Sequence, residues 1–215
     1  GFSSNDQNPV IPNATVGHSG TYSLIITIGG ESSPPVSTTV VVHPKPQITV
    51  ANTSVCQGFS AVLTAAGGVS YVWNNGASTN PRTCVPTSNT TYIVTGTDAN
   101  GCKNTASALV TVFPNPQVSI LASDTEICLG EQITLTGQGA NTYNWTPFQT
   151  GEVITVSPTD TTTYLLLGTD LNGCYGSDSM TIIVHPLPLV QFTADTVKGC
   201  VPLTVEFSDI SGDSS

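Results

Sequence analysis

Apolar and polar residues alternate in short runs along almost the whole chain. Ala61, Leu63 and Ala65 fall on one face of one run, Tyr71 and Trp73 on one face of the next, and Tyr92 and Val94 on one face of a third. Ala108, Val110 and Val112 alternate in the same way further on. A period of two sends every second side chain to the same face of a β-strand, and the helical period is absent. The pattern therefore predicts strand A over 47–51, B around 61–65, C around 71–73, E over 82–85, F from Tyr92 and G through Val112. Asn74-Asn75-Gly76 closes C, and Asp98-Ala99-Asn100-Gly101 joins F to G, with Asn-Gly expected to supply the positive φ of a tight hairpin. About seven short strands, with a Trp on C and a Tyr on F, favour two sheets packed face to face.

The same text then returns. TTYIVTGTDANGC at 90–102 reappears as TTYLLLGTDLNGC at 162–174, an offset of 72. Tyr92 answers Tyr164, Trp73 answers Trp145, Cys56 answers Cys128 and Cys102 answers Cys174 at that offset. The Pro-Gln junctions Pro46-Gln47 and Pro116-Gln117 lie 70 apart, so the second copy gains two residues early on. A fixed period of this length marks tandem modules, each with its own core. Trp73, Tyr92, Trp145 and Tyr164 are the expected core signature. In the second copy Ile133 and Leu135 serve B, Ile154 and Val156 serve E, and Met180, Ile182 and Val184 serve G.

Proline-rich joints separate the copies: His43-Pro44-Lys45-Pro46, Phe113-Pro114-Asn115-Pro116 and His185-Pro186-Leu187-Pro188. Alternating prolines remove amide donors and fix φ, so each joint is expected to be short and stiff. Four segments follow: 1–43, 44–113, 114–186 and 187–215. The first reads as the back half of an immunoglobulin-like domain. Tyr22 sits as in a tyrosine corner at the start of strand F, and 36–42 forms G. Its early strands are expected to precede Gly1, making the chain a piece of a longer one. The last segment changes its spacing after Leu189 and reads as the start of a different sandwich.

The net charge is −10, with four Lys and Arg in 215 residues. That balance argues against nucleic acid as a partner, because phosphates call for cations. No run of apolar residues is long enough to insert into a membrane as a helix. Six cysteines, four of them at equivalent places in two copies, suggest an oxidising compartment.

Several motifs together carry a family resemblance. These are Cys-x-Gly before B, Tyr-x-Trp on C, Pro-Thr-x-x-Thr-Tyr leading into F, Gly-Thr-Asp-x-Asn-Gly-Cys and the closing Pro-x-Pro. They resemble the immunoglobulin-like repeats of very long surface proteins of Bacteroidota. The final segment, Phe-x-Ala followed by Gly-Cys-Val-Pro-Leu-Thr-Val-x-Phe, resembles the opening of a polycystic-kidney-disease-type (PKD) domain. Such mixtures occur in gliding-motility adhesins and other type IX secretion cargo. The first segment departs from the pattern, with Glu31 where the other copies have the hairpin Cys. The resemblance implies an all-β chain of tandem immunoglobulin-like sandwiches in a linear array, followed by the start of a PKD-type sandwich. It places the chain at the outer surface of a Gram-negative bacterium.

The candidate chemistry is sparse. Three disulfide schemes stay open for Cys56, Cys84, Cys102, Cys128 and Cys174. Cys56–Cys102 and Cys128–Cys174 would pair within modules, Cys56–Cys174 would staple one module to the next, and Cys56–Cys84 would join the start of B to the end of E. Cys84 aligns with Val156 and also reads as a small buried hydrophobe. Cys200 has no partner in view. Asp98-x-Asn100-Gly101 and Asp170-x-Asn172-Gly173 look like the start of a calcium loop but lack its third acid and closing Glu, so they read as turns. His18, His43 and His185 are dispersed, and the linker position that holds two of them holds Phe113 in the other copy. No nucleophile elbow, zinc-binding helix motif or matched carboxylate pair is present, and neither a cofactor nor a metal is expected. Asp-Thr or Asp-Ser followed by an apolar residue or Thr, at Thr161, Ser179 and Thr196, resembles the O-glycosylation signal of Bacteroidota. The expected role is a structural or adhesive stalk, with neighbouring modules, surface polysaccharide or other surface proteins as partners. The alternative is a spacer, or a set of carbohydrate-binding modules, on a secreted polysaccharide-degrading enzyme.

Overall fold

The computed structural model describes residues 1–147 and 149–212. The chain divides into two compact units, Gly1–Val112 and the residues from Phe113 onward. Among the described residues there is one short 3-10 turn, Val16–His18, and every other regular element is a strand.

In the first segment β1 (Gly20–Leu24), β2 (Thr27–Ile28), β3 (Glu31–Ser32) and β4 (Val36–Val40) form nested antiparallel hairpins. β1 pairs with β4, and β2 pairs with β3 across Gly29-Gly30. Tyr22 Oη donates to the His18 carbonyl at 2.7 Å, the contact that defines a tyrosine corner. None of residues 1–43 is buried, and Leu24, Ile26, Ile28 and Val36 stand in the open.

The first complete module comprises β5 (Thr49–Val50), β6 (Thr53–Cys56), β7 (Ala61–Leu63), β8 (Ala65–Ala66), β9 (Ser70–Trp73), β10 (Arg82–Cys84), β11 (Thr90–Thr97) and β12 (Lys103–Phe113). One sheet runs β6-β12-β11-β9, and the facing layer holds β10-β7 and β5-β8. Strands A, B and E thus oppose A′, G, F and C, and the module is an immunoglobulin-like β-sandwich. Leu63 and Ala65 from one layer meet Trp73, Val94 and Val110 from the other in a single core.

The second module repeats this plan with β13 (Ser119–Ala122), β14 (Glu126–Cys128), β15 (Ile133–Gln138), β16 (Thr142–Thr146), β17 (Gln149–Thr150), β18 (Val153–Val156), β19 (Thr162–Thr169) and β20 (Tyr175–His185). β13-β15-β18 faces β14-β20-β19-β16-β17. β14 runs parallel to β20, with Cys128 opposite His185. The core is built from the repeat positions: Leu135, Trp145, Leu166 and Ile182 stand where the first module has Leu63, Trp73, Val94 and Val110. The chain is therefore all-β and contains tandem immunoglobulin-like sandwiches. Beyond them lie β21 (Phe192–Ala194) and β22 (Phe207–Asp209), an antiparallel pair whose phenyl rings Phe192 and Phe207 lie 6.0 Å apart. Residues 213–215 of the last expected segment lie outside the described residues.

Two sequence expectations need correction. Strand A is not one strand over 47–51. It is β5 on one sheet followed by β6 on the other, because the chain crosses between layers at Ala51-Asn52. In the F–G hairpin only Gly101 has positive φ, +82°; Asn100 does not. The loop is a three-residue turn in which Gly101 N–H bonds the Asp98 carbonyl at 3.1 Å and Asp98 N–H bonds the Cys102 carbonyl at 3.0 Å. This is a type I turn closed by a left-handed glycine.

Candidate functional site

The residues that the repeat singles out hold each module together from inside. Tyr71 Oη donates to the Gly68 carbonyl at 2.8 Å and accepts from the Gly68 N–H at 2.9 Å. Tyr143 makes the same two bonds to Ala140, both at 2.9 Å. Trp73 Nε1 donates to the Thr79 carbonyl at 3.0 Å, and Trp145 Nε1 to the Gly151 carbonyl at 2.9 Å. A buried indole or phenol needs a partner for its polar tip, and each finds one on its own backbone. Trp73 is 1% exposed and Trp145 4%, so neither can stack on a sugar ring.

The turn carboxylates are likewise committed. Asp98 Oδ1 accepts the Asn100 and Cys102 N–H groups at 2.9 Å each, and Asp170 Oδ1 accepts those of Asn172 and Cys174 at 2.8 Å each. These aspartates shape the hairpin, and among the described residues no cluster of three metal-ligating side chains forms.

Glycines mark where the layers come closest. A Cβ on Gly67 would lie 1.8 Å from the Gln47 carbonyl oxygen, and one on Gly139 1.8 Å from that of Gln117. These two glycines are 72 apart while their carbonyl partners are 70 apart. The two extra residues of the second module therefore lie in strand A. β5 pairs with β8 over two residues, whereas β13 pairs with β15 over four, through Leu121 and Ala122.

One buried group escaped the sequence reading. Arg82 is only 8% exposed, and its guanidinium lies 4.7 Å from the Tyr92 ring centroid and 5.6 Å from that of Trp73. Nη1 donates to Asn75 Oδ1, and Nε is buried without a partner. Burial is the main cause that raises the Tyr92 hydroxyl above its ordinary value; the Cys84 thiol adds to the rise and Arg82 opposes it. Burial alone raises Tyr164. Asn80 was also unread: its side-chain amide clamps the N–H and carbonyl of Ala65 at 2.9 Å each, at the start of β8 just past the break after β7. His185 Nε2 lies 2.9 Å from Glu126 Oε2, across the parallel β14–β20 pair. Neighbours in sequence signal none of these contacts, since each joins residues seven or more positions apart.

The cysteines divide unevenly. Cys56 and Cys174 are disulfide-bonded, whereas Cys84, Cys102, Cys128 and Cys200 are free thiols. The expected pairs within a module, Cys56–Cys102 and Cys128–Cys174, do not form, and neither does Cys56–Cys84. The reason is plain in the second module. Cys174 precedes β20 and Cys128 lies opposite its last residue, His185, eleven residues further on. At about 3.3 Å per residue that is roughly 35 Å, against the ~4.4–6.8 Å between Cα atoms that a disulfide allows. Cys84 is buried, its thiol 3.7 Å from the Ala61 carbonyl.

The hydroxyls singled out for modification differ in setting. Ser179 is exposed in the middle of β20. Thr161 is exposed before β19, and its Oγ1 accepts the Val184 N–H at 3.2 Å. Thr196 is half-buried and donates to the Lys198 carbonyl at 3.1 Å.

No protein-family model matches the chain, and no curated protein matches it. Solved structures similar to it include an amphioxus IgVJ-C2 molecule, with 16% identity, 60% of this chain and 99% of that one covered, and a TM-score of 0.30. The eight N-terminal Ig domains of Down syndrome cell adhesion molecule align at 16% identity over 94% of this chain and 38% of that one, with a TM-score of 0.36. A structure from a 1.5-MDa bacterial ice-binding adhesin aligns at 14% identity over 71% of this chain and 70% of that one, with a TM-score of 0.36. The fold assignment rests on the strand order within each module.

Proposed function

We propose that this chain is a structural and adhesive stalk segment of a long secreted surface protein, and that its work is mechanical. The observation that carries this reading is the double construction of one frame. Both modules turn their Tyr, Trp and hairpin Asp groups inward, onto their own backbone. Residues kept in register across a repeat and spent on internal bonding fit a load-bearing part.

The finer reading rests on the motif resemblance. It treats 1–43 as the end of one immunoglobulin-like domain, 44–113 and 114–186 as two complete ones, and 187–215 as the opening of a PKD-type domain. It assigns the chain to a Bacteroidota surface protein of the gliding-motility adhesin type, exported by type IX secretion to the outer surface. Its partners are the neighbouring modules and surface polysaccharide or surface proteins. Ser179 and Thr161 are the favoured O-glycosylation positions, because both side chains are exposed, with the half-buried Thr196 behind them.

The test is the native polypeptide itself: its intact mass, its terminal peptides and its release from intact cells by external protease. Many further repeats on one surface-exposed chain are expected. A polysaccharide-degrading domain attached to a short run of modules would make these modules a spacer and overturn the stalk reading.

A further inference from the structure

The repeat has two cysteine positions, one ending strand A′ and one closing the F–G hairpin. Both modules fill both positions, yet each module has one oxidised and one free. The oxidised set contains one of each kind, Cys56 at the A′ end and Cys174 at the hairpin. The free set is its reciprocal, Cys102 at the hairpin and Cys128 at the A′ end. Exposure follows the same split. Cys174 is fully covered while its counterpart Cys102 is half-exposed, and Cys56 is half-exposed while its counterpart Cys128 is open. The local bonding at these sites is alike: Asp98 caps the hairpin before Cys102 as Asp170 does before Cys174, and the Cys56 and Cys128 carbonyls each accept the N–H three residues on, at 3.0 Å.

We propose that Cys102 and Cys128 are linkage thiols, and that the hairpin Cys102 of one copy of this chain forms a disulfide with the A′ Cys128 of a second copy. The second, independent observation behind these thiols is that the same two repeat positions are oxidised elsewhere in this chain. The proposal does not depend on the adhesive reading. The chemistry is thiol–disulfide exchange with a low-molecular-weight disulfide. The Cys128 thiolate attacks that disulfide, giving a mixed disulfide and releasing one small thiolate. The Cys102 thiolate of the second copy then attacks the Cys128 sulfur, forming the protein disulfide and releasing the other small thiolate. Two protein thiols are oxidised and one small disulfide is reduced to two thiols. Solvent exposure of both groups is what such attack requires.

The experiment uses the full chain carrying Cys200→Ser, in a buffer of oxidised and reduced glutathione, read by non-reducing electrophoresis and peptide mapping. The expected result is a ladder of covalent oligomers with a Cys102–Cys128 linked peptide. Cys102→Ser and Cys128→Ser each abolish the ladder, while mixing the two variants gives a heterodimer and nothing longer. A mixture that stays monomeric overturns the proposal, as does linkage through Cys84 or through two like positions. Dichroism showing native strand content in both variants ensures that a monomeric mixture is read as absent pairing.

Discussion

The two complete modules share a frame and differ along strand E. In the second, Ile154 and Val156 fill the core side of that strand, against Trp145 and Tyr164. In the first, the same positions hold Arg82 and Cys84, and the guanidinium lies against both rings. The acceptor for Arg82 is Asn75, and the second module has Pro147 at that place. Arg82 and Asn75 therefore occur together and are absent together. In the module that buries a cation, its aromatic walls are joined by a side-chain acceptor, and in the module without that acceptor the position is apolar. A cation–π contact contributes about 0.5–2 kcal/mol, which only partly offsets the desolvation of a buried charge.

Where the modules are built alike they should respond alike. Trp73→Ala and Trp145→Ala should each cost about 3–5 kcal/mol, since each empties the centre of a core and frees a backbone carbonyl. Denaturant unfolding of the full chain should show one transition lowered in each variant, a different one in each. Along strand E they should respond differently. Ile154→Arg should cost about 3 kcal/mol or more, because Pro147 offers no side-chain acceptor and the charge is left unpaired. Arg82→Ile should cost nothing or stabilise the first module, as replacing a buried charge by an apolar group often does. Equal losses from the two swaps would refute the role given to Asn75.

Gly67→Ala and Gly139→Ala come next. Each residue has positive φ and no room for a Cβ beside the strand A backbone. Each substitution should cost more than about 1 kcal/mol, the scale of a tolerated glycine change. Gly76→Ala, at positive φ but in open space, should cost less; thermal melts compare them. The smallest effect is in pH. Burial raises the hydroxyl pKa of Tyr92 and Tyr164 in the folded state. The unfolded tyrosine therefore loses its proton first. This stabilisation is fully present below about pH 10 and is lost as pH rises through the folded values. Chemical denaturation midpoints measured across that range should fall for both modules.

Alternation placed most of the strands and most of the core, because a two-residue period survives wherever one face is buried. Leu63, Trp73, Val94, Val110 and their counterparts were legible for that reason. Strand A′ was not, since Thr53-Ser54-Val55-Cys56 has little alternation and owes its place to pairing with β12. Of the three disulfide schemes, the pairs within a module failed because sequence equivalence says nothing of the length of G between the two cysteines, and the oxidised pair, Cys56 and Cys174, is the one that the second scheme named. Arg82 was passed over as a strand-opening polar residue. Its burial depends on ring faces from C and F that meet only in the folded sandwich.

Whether the repeats act as independent mechanical units is read most directly by single-molecule extension of the reduced full chain. Two separate unfolding steps of equal length are expected, each releasing about 70 residues at about 3.6 Å per residue, or roughly 25 nm. Smooth extension without steps, or one step of about twice that length, would contradict it.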